Sequence, residues 1–213
     1  MSSLAAAIRR RNPDSLAKRA ARSGSVRIIG GSWRSRRLPV LDDAMLRPSA
    51  DRTRERLFNW LAPDINGARC LDLFAGSGVL AFEALSRGAT SATLVEQHPP
   101  LINALNRARD SLAAENTAII QSDAVAWLAE STPTPFDIVF VDPPFRQQLA
   151  ELVVEHLQQG WLSENALVYV ETEPGAQPPC PQTWTLHRNG ATRQVDYALY
   201  RAQPGEQPGS LPD

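Results

Sequence analysis

The chain predicts an α/β fold, a doubly wound, mostly parallel sheet preceded by a small basic hairpin and helix. Three observations carry that prediction. From Cys70 onward, short apolar runs alternate with amphipathic segments of helical length, the pattern of parallel strands joined by crossover helices. The first of those runs ends in Ala75-Gly76-Ser77-Gly78, a glycine turn leading straight into a helix. The run Phe136-Asp137-Ile138-Val139-Phe140-Val141 ends abruptly in Asp142-Pro143-Pro144-Phe145, so a buried strand delivers a carboxylate, two rigid residues and an aromatic ring to one end of the sheet.

Length and composition agree with such a fold. The 213 residues suit one domain with an appendage, and 43% hydrophobic residues suffice for a substantial core. No apolar run approaches the ~20 residues of a membrane span, and the N-terminus lacks the apolar stretch of a secretory signal, so a soluble cytoplasmic protein is expected. Two cysteines, Cys70 and Cys180, make no disulfide framework, and the scattered His98, His156 and His187 make no metal site; no metal is assigned. Charge is sharply segregated. Residues 1–60 carry 14 Lys and Arg against 5 Asp and Glu, whereas residues 61–213 carry 8 against 18. A basic arm on an acidic domain suits a nucleic-acid partner, because each phosphate met by an arginine releases counterions.

Residues 1–25, rich in Ala, Arg and Ser and broken by Asn12-Pro13, are expected to be a disordered basic tail. Val26–Ile29 and Arg36–Val40 flank Gly30-Gly31-Ser32-Trp33 and read as a hairpin displaying Arg27, Arg34, Arg36 and Arg37 around Trp33. Arginines interleaved with an aromatic ring suit single-stranded RNA; Trp33 could equally pack beneath the hairpin. Thr53–Leu61 then reads as an amphipathic helix with Leu57, Phe58 and Leu61 on its apolar face, its arginines facing water, a partner RNA or a cofactor, and Ser49 or Asp51 as its cap.

The sheet follows. Its expected strands are Cys70–Phe74, Ala92–Glu96, Thr117–Gln121, Phe136–Val141 and Ala166–Val170, with a closing pair near Trp184–Arg188 and Gln194–Arg201. Expected helices run from Val79 to Arg87 with Gly88 as the stop, from Pro100 to Ala114, briefly through Trp127, and from Gln148 to Gln158. The Pro/Gly-rich end, 202–213, reads as a second disordered tail. The chain thus divides into 1–25, an extension over 26–62, the sheet domain over 63–201, and 202–213.

Gly76 and Gly78 let a ligand approach the backbone at a helix N-terminus, and Glu96, 20 residues beyond Gly76, is placed to take ribose hydroxyls. A nicotinamide dinucleotide and S-adenosylmethionine are both served by these features. Asp72 favours the second, since a carboxylate beside the turn repels a pyrophosphate and suits a cationic amino-acid end. Asp123 could accept the adenine amine or cap the next helix.

D-x-F-A-G-S-G together with D-P-P-F resembles class I S-adenosylmethionine-dependent methyltransferases that act on exocyclic amines of bases. With VRIIGGSWRSRRLPV, LRPSADRTRERLFNWLAP and CLDLFAGSGVLAFEALSRGA, residues 26–201 resemble the bacterial small-subunit ribosomal RNA guanine-N2 methyltransferases of the RsmD type. The resemblance implies a Rossmann-like sheet of seven strands with the last antiparallel. It also implies S-adenosylmethionine as cofactor, held by Asp72, Phe74, Gly76, Gly78, Glu96, Gln97, Asp123 and Ala124. Asp142 and the Pro143 carbonyl would accept the N–H bonds of guanine N2, with Pro144 rigid behind them and Phe145 stacked on the base. An orienting role for Asp142 takes precedence over that of a general base. Arg27, Trp33, Arg34, Arg36 and Arg37 would meet small-subunit ribosomal RNA within a ribosomal particle, and the protein would be a monomer off the membrane.

Overall fold

The structure is a computed structural model, and residues 24–40, 51–144 and 149–202 of it are described here. Most of the expected tails, the cap candidate Ser49 and the ring of Phe145 lie outside the described residues.

Strands β1 (Gly24–Arg27) and β2 (Arg37–Val40) form the antiparallel hairpin, β1 starting two residues earlier than expected. Helix α1 (Asp51–Leu61) follows. The sheet contains β3 (Arg69–Asp72), β4 (Ser91–Glu96), β5 (Thr117–Gln121), β6 (Phe136–Val141), β7 (Leu162–Thr172), β8 (Trp184–Ala191) and β9 (Asp196–Ala202). Between them run α2 (Val79–Ser86), α3 (Pro99–Leu112), α4 (Ala124–Glu130) and α5 (Leu149–Leu157). The strand order is β5-β4-β3-β6-β7-β9-β8. Pairs from β5 to β7 are parallel, and β9 runs antiparallel between β7 and β8. Chain order reverses between β3 and β6, and in such sheets the crevice at the carboxyl ends of those two strands is where ligands bind.

Continuous apolar strands make sense because both sheet faces are covered, alternate residues serving opposite sides. On one face Cys70, Ile138, Phe140, Leu167, Tyr169 and Leu199 meet α1, α2, α3 and the hairpin. On the other Leu71, Val139, Val141, Val168 and Val170 meet α4 and α5. Val26, Ile28, Leu38 and Val40 of the hairpin belong to the first cluster, so the basic arm shares the core on that face of the sheet.

Helix α2 explains how. All eight of its residues are buried, which a helix tolerates only when covered on every side. Its two polar members hold the cover in place. The Glu83 carboxylate accepts the backbone N–H groups of Ile29 (2.6 Å) and Gly30 (2.8 Å), and it also accepts from Arg87 Nε (2.7 Å). Ser86 Oγ donates to the Gly30 carbonyl (2.6 Å) and accepts from Trp33 N–H (2.9 Å), while its own carbonyl accepts from Ser32 N–H (2.8 Å). A buried carboxylate is tolerable because every contact is a charge-assisted hydrogen bond.

Two expectations are corrected. Arg54 does not face outward: its side chain is fully buried, with Nη2 donating to Asp51 Oδ1 (2.7 Å) and to the Arg27 carbonyl (3.1 Å). Helical spacing explains this, since Arg54 stands three and four residues before Leu57 and Phe58 on the buried stripe. Strand β7 runs beyond Val170 to Thr172, because β9 pairs with it there, Glu171 opposite Tyr197 and Thr172 opposite Asp196.

Candidate functional site

The carboxyl ends of neighbouring strands gather the acids. Asp72 closes β3, Glu96 closes β4, Asp142 follows β6 and Glu171 lies near the end of β7. The register aligns them: Asp72 pairs with Phe140, Phe140 with Tyr169, and Val141 with Val170, so Asp142 and Glu171 leave adjacent strands in step. Residues two apart share a face, so these acids project to the side holding α2 and the hairpin.

The glycine turn is shaped as expected. Gly76 and Gly78 adopt φ of 53° and 73°, the left-handed region that a Cβ disfavours. A side chain at Gly78 would strike Leu105 and the Phe82 ring. Gly78 begins α2 with no side-chain cap, which leaves the positive end of the helix directed at the crevice.

Each expected cofactor residue can now be placed. Asp72 is 2% exposed, and burial pushes its carboxyl up to about 7; the Phe74 and Ala81 N–H groups oppose that rise, and the Glu96 charge adds to it. Glu96 Oε2 accepts from Gly76 N–H (3.0 Å), and Oε1 accepts from His98 N–H (2.9 Å) and lies 2.8 Å from His98 Nδ1. The carboxylate thereby bridges β4 to the glycine turn, with exposed Gln97 beside it. Asp123 takes up the capping alternative: its Oδ1 accepts from Ala126 N–H (3.0 Å) at the start of α4, where Ala124 is the first helical residue. Phe74 is partly buried against the second core cluster.

At the opposite lip, Asp142 is partly exposed and Pro143 is buried. Desolvation of the Asp142 carboxyl raises its pKa well above the usual carboxylate range, and the charges of Glu171 and Asp72 raise it further. Glu171 is 2% exposed and accepts from Tyr169 Oη (2.6 Å). Sequence reasoning missed both Glu171 and Tyr169. Their signal was the extension of an apolar strand into an acid at a strand end, the placement already noticed for Asp72 and Glu96.

The expected RNA-facing residues divide. Arg36 Nη2 donates to the Ser111 carbonyl at the end of α3 (2.6 Å), Arg37 Nη1 to Ser25 Oγ (2.8 Å), and Arg27 pairs with Asp51 (3.2 Å). Arg34 is exposed; its backbone N–H donates to the Gly31 carbonyl (3.2 Å), and its guanidinium makes no hydrogen bond or ion pair among the described residues. Trp33 is partly buried against the core, so packing accounts for at least part of it. A cavity of about 200 Å³ opens beneath the hairpin, lined by Arg27, Ile28, Ile29, Arg34, Ser35, Asp51 and Glu55; none of these residues comes from the sheet's strand ends.

Comparison with known proteins places this arrangement. The family described as "Conserved hypothetical protein 95" matches residues 26–201. The chain is 50% identical over 183 residues to ribosomal RNA small subunit methyltransferase D of Escherichia coli K12, covering 85% of this chain and 92% of that protein. The Haemophilus influenzae protein of the same name is 45% identical over 182 residues, covering 84% and 94%. A solved Escherichia coli structure, yhhF, is 48% identical and superimposes with a TM-score of 0.78 over 84% of this chain and 99% of its own. An RNA methyltransferase of Salinibacter ruber solved with S-adenosyl-L-homocysteine is 17% identical at a TM-score of 0.57, a likeness of fold.

Proposed function

The chain belongs to the family of ribosomal RNA small subunit methyltransferase D, and from that premise we propose that it methylates the exocyclic N2 of a guanine in small-subunit ribosomal RNA. The observation that carries the reading is Asp142, set by β6 at the switch point across from the glycine turn, Asp72 and Glu96.

The residues around that turn fit S-adenosylmethionine. Glu96, held by three nitrogen contacts, is oriented toward a ribose, while Asp72 suits the cationic amino-acid end. A dinucleotide pyrophosphate would bring negative charge against an Asp72 carboxyl that burial and Glu96 already resist ionising. Gly76, Gly78, Phe74, Gln97, Asp123 and Ala124 complete the proposed lining. When bound, S-adenosylmethionine supplies a methyl group made electrophilic by its sulfonium. The chain's part is to hold the acceptor. Asp142 and the Pro143 carbonyl take the two N–H bonds of an amine whose lone pair is delocalised into the ring, Pro144 keeps both rigid, and Phe145 supplies a stacking surface. An unpaired or flipped guanine is required, since a paired N2 is out of reach.

Arg34 and the adjoining cavity are the proposed phosphate and nucleotide contacts, with Arg27, Arg36 and Arg37 completing the basic face and Trp33 edging it. We place the substrate within a ribosomal particle and the enzyme in the cytoplasm as a monomer. Among the described residues no helix is long and apolar enough to cross a membrane. The four-part division at 25, 62 and 201 remains a proposal: basic tail, covering extension, methyltransferase domain and C-terminal tail.

The test is incubation of the protein and methyl-labelled S-adenosylmethionine with small-subunit particles lacking the mark, with naked ribosomal RNA, and with duplex DNA. Label recovered as N2-methylguanosine from the particles is the expected result; label in a methylated adenine or cytosine would overturn the assignment. In a separate measurement, Glu96→Gln is expected to weaken S-adenosylhomocysteine binding by about 10- to 100-fold, since an amide cannot accept at both oxygens and 1.4 kcal/mol is tenfold. Calorimetry reads that change directly.

A further inference from the structure

We infer that the turn joining β8 to β9, together with the outward side of α1, is a second RNA-contact surface, on which Arg193 and Arg56 take phosphates of the strand flanking the target guanine. The inference rests on the RNA substrate proposed above. It carries the basic face past the hairpin to the far edge of the sheet.

The register places that turn at the end of the sheet that carries Asp142. Val141 pairs with Val170, Glu171 and Thr172 pair with Tyr197 and Asp196, and Asp196 pairs with Ala191. The residues from Thr192 to Val195 therefore leave the sheet on the same side as Asp142, with β7 standing between β6 and β9. At about 4.8 Å per strand the separation is on the order of 10–15 Å, the reach of nucleotides next to one held at Asp142. Asp72, the glycine turn and Glu96 take up the side of β3 and β4. An RNA strand whose guanine enters the crevice is left with the hairpin on one flank and the ends of β7, β9 and β8 on the other.

The turn is built to hold a side chain outward. Thr192 N–H donates to the Val195 carbonyl (2.8 Å), and Thr192 Oγ1 accepts from the N–H groups of Gln194 and Val195 (3.1 Å each), so the threonine fixes the loop it opens. Arg193 stands within it, exposed, with a guanidinium that makes no hydrogen bond or ion pair among the described residues. Asp196, the acid nearest to it in sequence, is engaged by the Gly175 N–H (2.8 Å). Behind the turn, Gly190 makes room for Tyr197, since a Cβ there would overlap the Tyr197 hydroxyl. That hydroxyl accepts from Arg56 Nη1 of α1 (2.9 Å), and Trp60, one turn further along α1, packs on the Tyr197 ring at 5.8 Å. A phenol takes one guanidinium N–H and neutralises none of its charge, so the exposed Arg56 is positioned with its remaining donors unspent. Arg52, one turn before Arg56, is exposed on the same side of α1, and Asp51 beside it pairs with Arg27 of the hairpin. Cations thus run from the hairpin along α1 to the turn. Ion pairing within the chain accounts for neither Arg56 nor Arg193, and arginines held without a carboxylate suit the phosphates of a single strand.

The test uses the full chain with Arg193→Ala, Arg56→Gln and Arg56→Lys. Binding of a short fluorescent single-stranded RNA is followed by anisotropy across a salt series, and kcat and KM are measured on small-subunit particles. Arg193→Ala and Arg56→Gln are each expected to weaken RNA binding and to lower the slope of log affinity against log salt by about 0.7, the share of one phosphate on a single strand. Arg56→Lys should keep the slope, because the charge stays. On particles KM should rise in the first two variants while kcat holds, the mark of lost uniform binding. In Arg193→Ala, S-adenosylhomocysteine affinity and melting temperature should match those of the unaltered chain, since that side chain touches nothing else. RNA affinity and slope unmoved in Arg193→Ala would overturn the inference, as would weaker binding with an unmoved slope. A loss in Arg56→Lys equal to that in Arg56→Gln would reduce Arg56 to a brace for Tyr197 and overturn its part. Failure of the unaltered chain to methylate particles would instead overturn the reaction proposed above, a result that the RNA titration does not share.

Discussion

Asp142→Asn is expected to lower methyl transfer by about 10²- to 10³-fold, the usual loss when one preorganised polar contact to a reacting centre is removed. The replacement has almost the same shape. What changes is that one acceptor oxygen becomes an NH₂ group, which presents donors to a donor and also cannot take a proton. Binding of S-adenosylhomocysteine, measured by calorimetry, should stay within a few-fold, because the proposed partner of Asp142 is the acceptor and the glycine turn and Glu96 are untouched. Turnover close to that of the unaltered chain would sink the assignment.

The same variant carries a stability signature of opposite sign. Asp142 titrates in the folded chain well above the ~3.9 of an unfolded aspartate, with burial, Glu171 and Asp72 as the causes. The folded state therefore binds more protons than the unfolded state above about pH 4, and its stability falls as pH rises through that window. Removing the group removes that cost. Asp142→Asn should melt at a higher temperature than the unaltered chain at pH 8, with the gap narrowing toward pH 5, as scanning calorimetry at the two pH values can determine. A site that is less stable with its catalytic acid than without it is the expected mark of selection for chemistry.

Strands buried on both faces were legible because they leave an uninterrupted apolar signature, as in Phe136–Val141, and the residues ending them were legible because Gly, Pro and Asp interrupt it so sharply. Glu171 was not, since Glu171-Thr172-Glu173-Pro174 looks like the start of a loop; only the antiparallel partner β9 keeps it in the sheet. Arg54 stood in the buried stripe of its helix, but its charge argued for solvent, and its bonds to the exposed Asp51 carboxylate and to the Arg27 carbonyl are visible only in space. Asp123 had two local readings that sequence could not rank, and the capping geometry takes up one of its oxygens. Glu83 left a trace as a lone acid in the otherwise apolar Val79–Leu85, yet its partners Ile29 and Gly30 are more than fifty positions away. Local pattern thus identified Asp72, Glu96 and Asp142, while contacts distant in sequence place Glu171, Arg54 and Glu83.

Those distant contacts give Gly31→Val its expected effect, loss of RNA methylation with the cofactor site intact. Gly31 has φ of 74°, and an added Cβ would overlap the Ser86 carbonyl oxygen, a backbone atom of α2 that cannot step aside. Left-handed backbone costs a residue with a Cβ about 1–2 kcal/mol, and a β-branched one is the poorest choice. Relief requires lifting the loop, which breaks the Ser32 and Trp33 contacts to Ser86 and strains those of Ile29 and Gly30 to Glu83. At about 1 kcal/mol for each hydrogen bond, and more for those to a buried carboxylate, the displaced hairpin should lose several kcal/mol of anchoring. Glu83 keeps its Arg87 partner, so α2 and the glycine turn at its other end should persist. The expected result is rapid amide exchange at Ile29 and Gly30, kcat/KM on ribosomal particles reduced at least about tenfold, and S-adenosylhomocysteine affinity changed by less than about threefold. Slow exchange at those amides with unaltered kcat/KM would show that the hairpin tolerates the side chain, and rapid exchange with unaltered kcat/KM would show that its seat on α2 does not matter for RNA. Loss of cofactor affinity in parallel would show instead that hairpin and glycine turn form one cooperative unit, with RNA docking and cofactor binding coupled through the eight residues of α2.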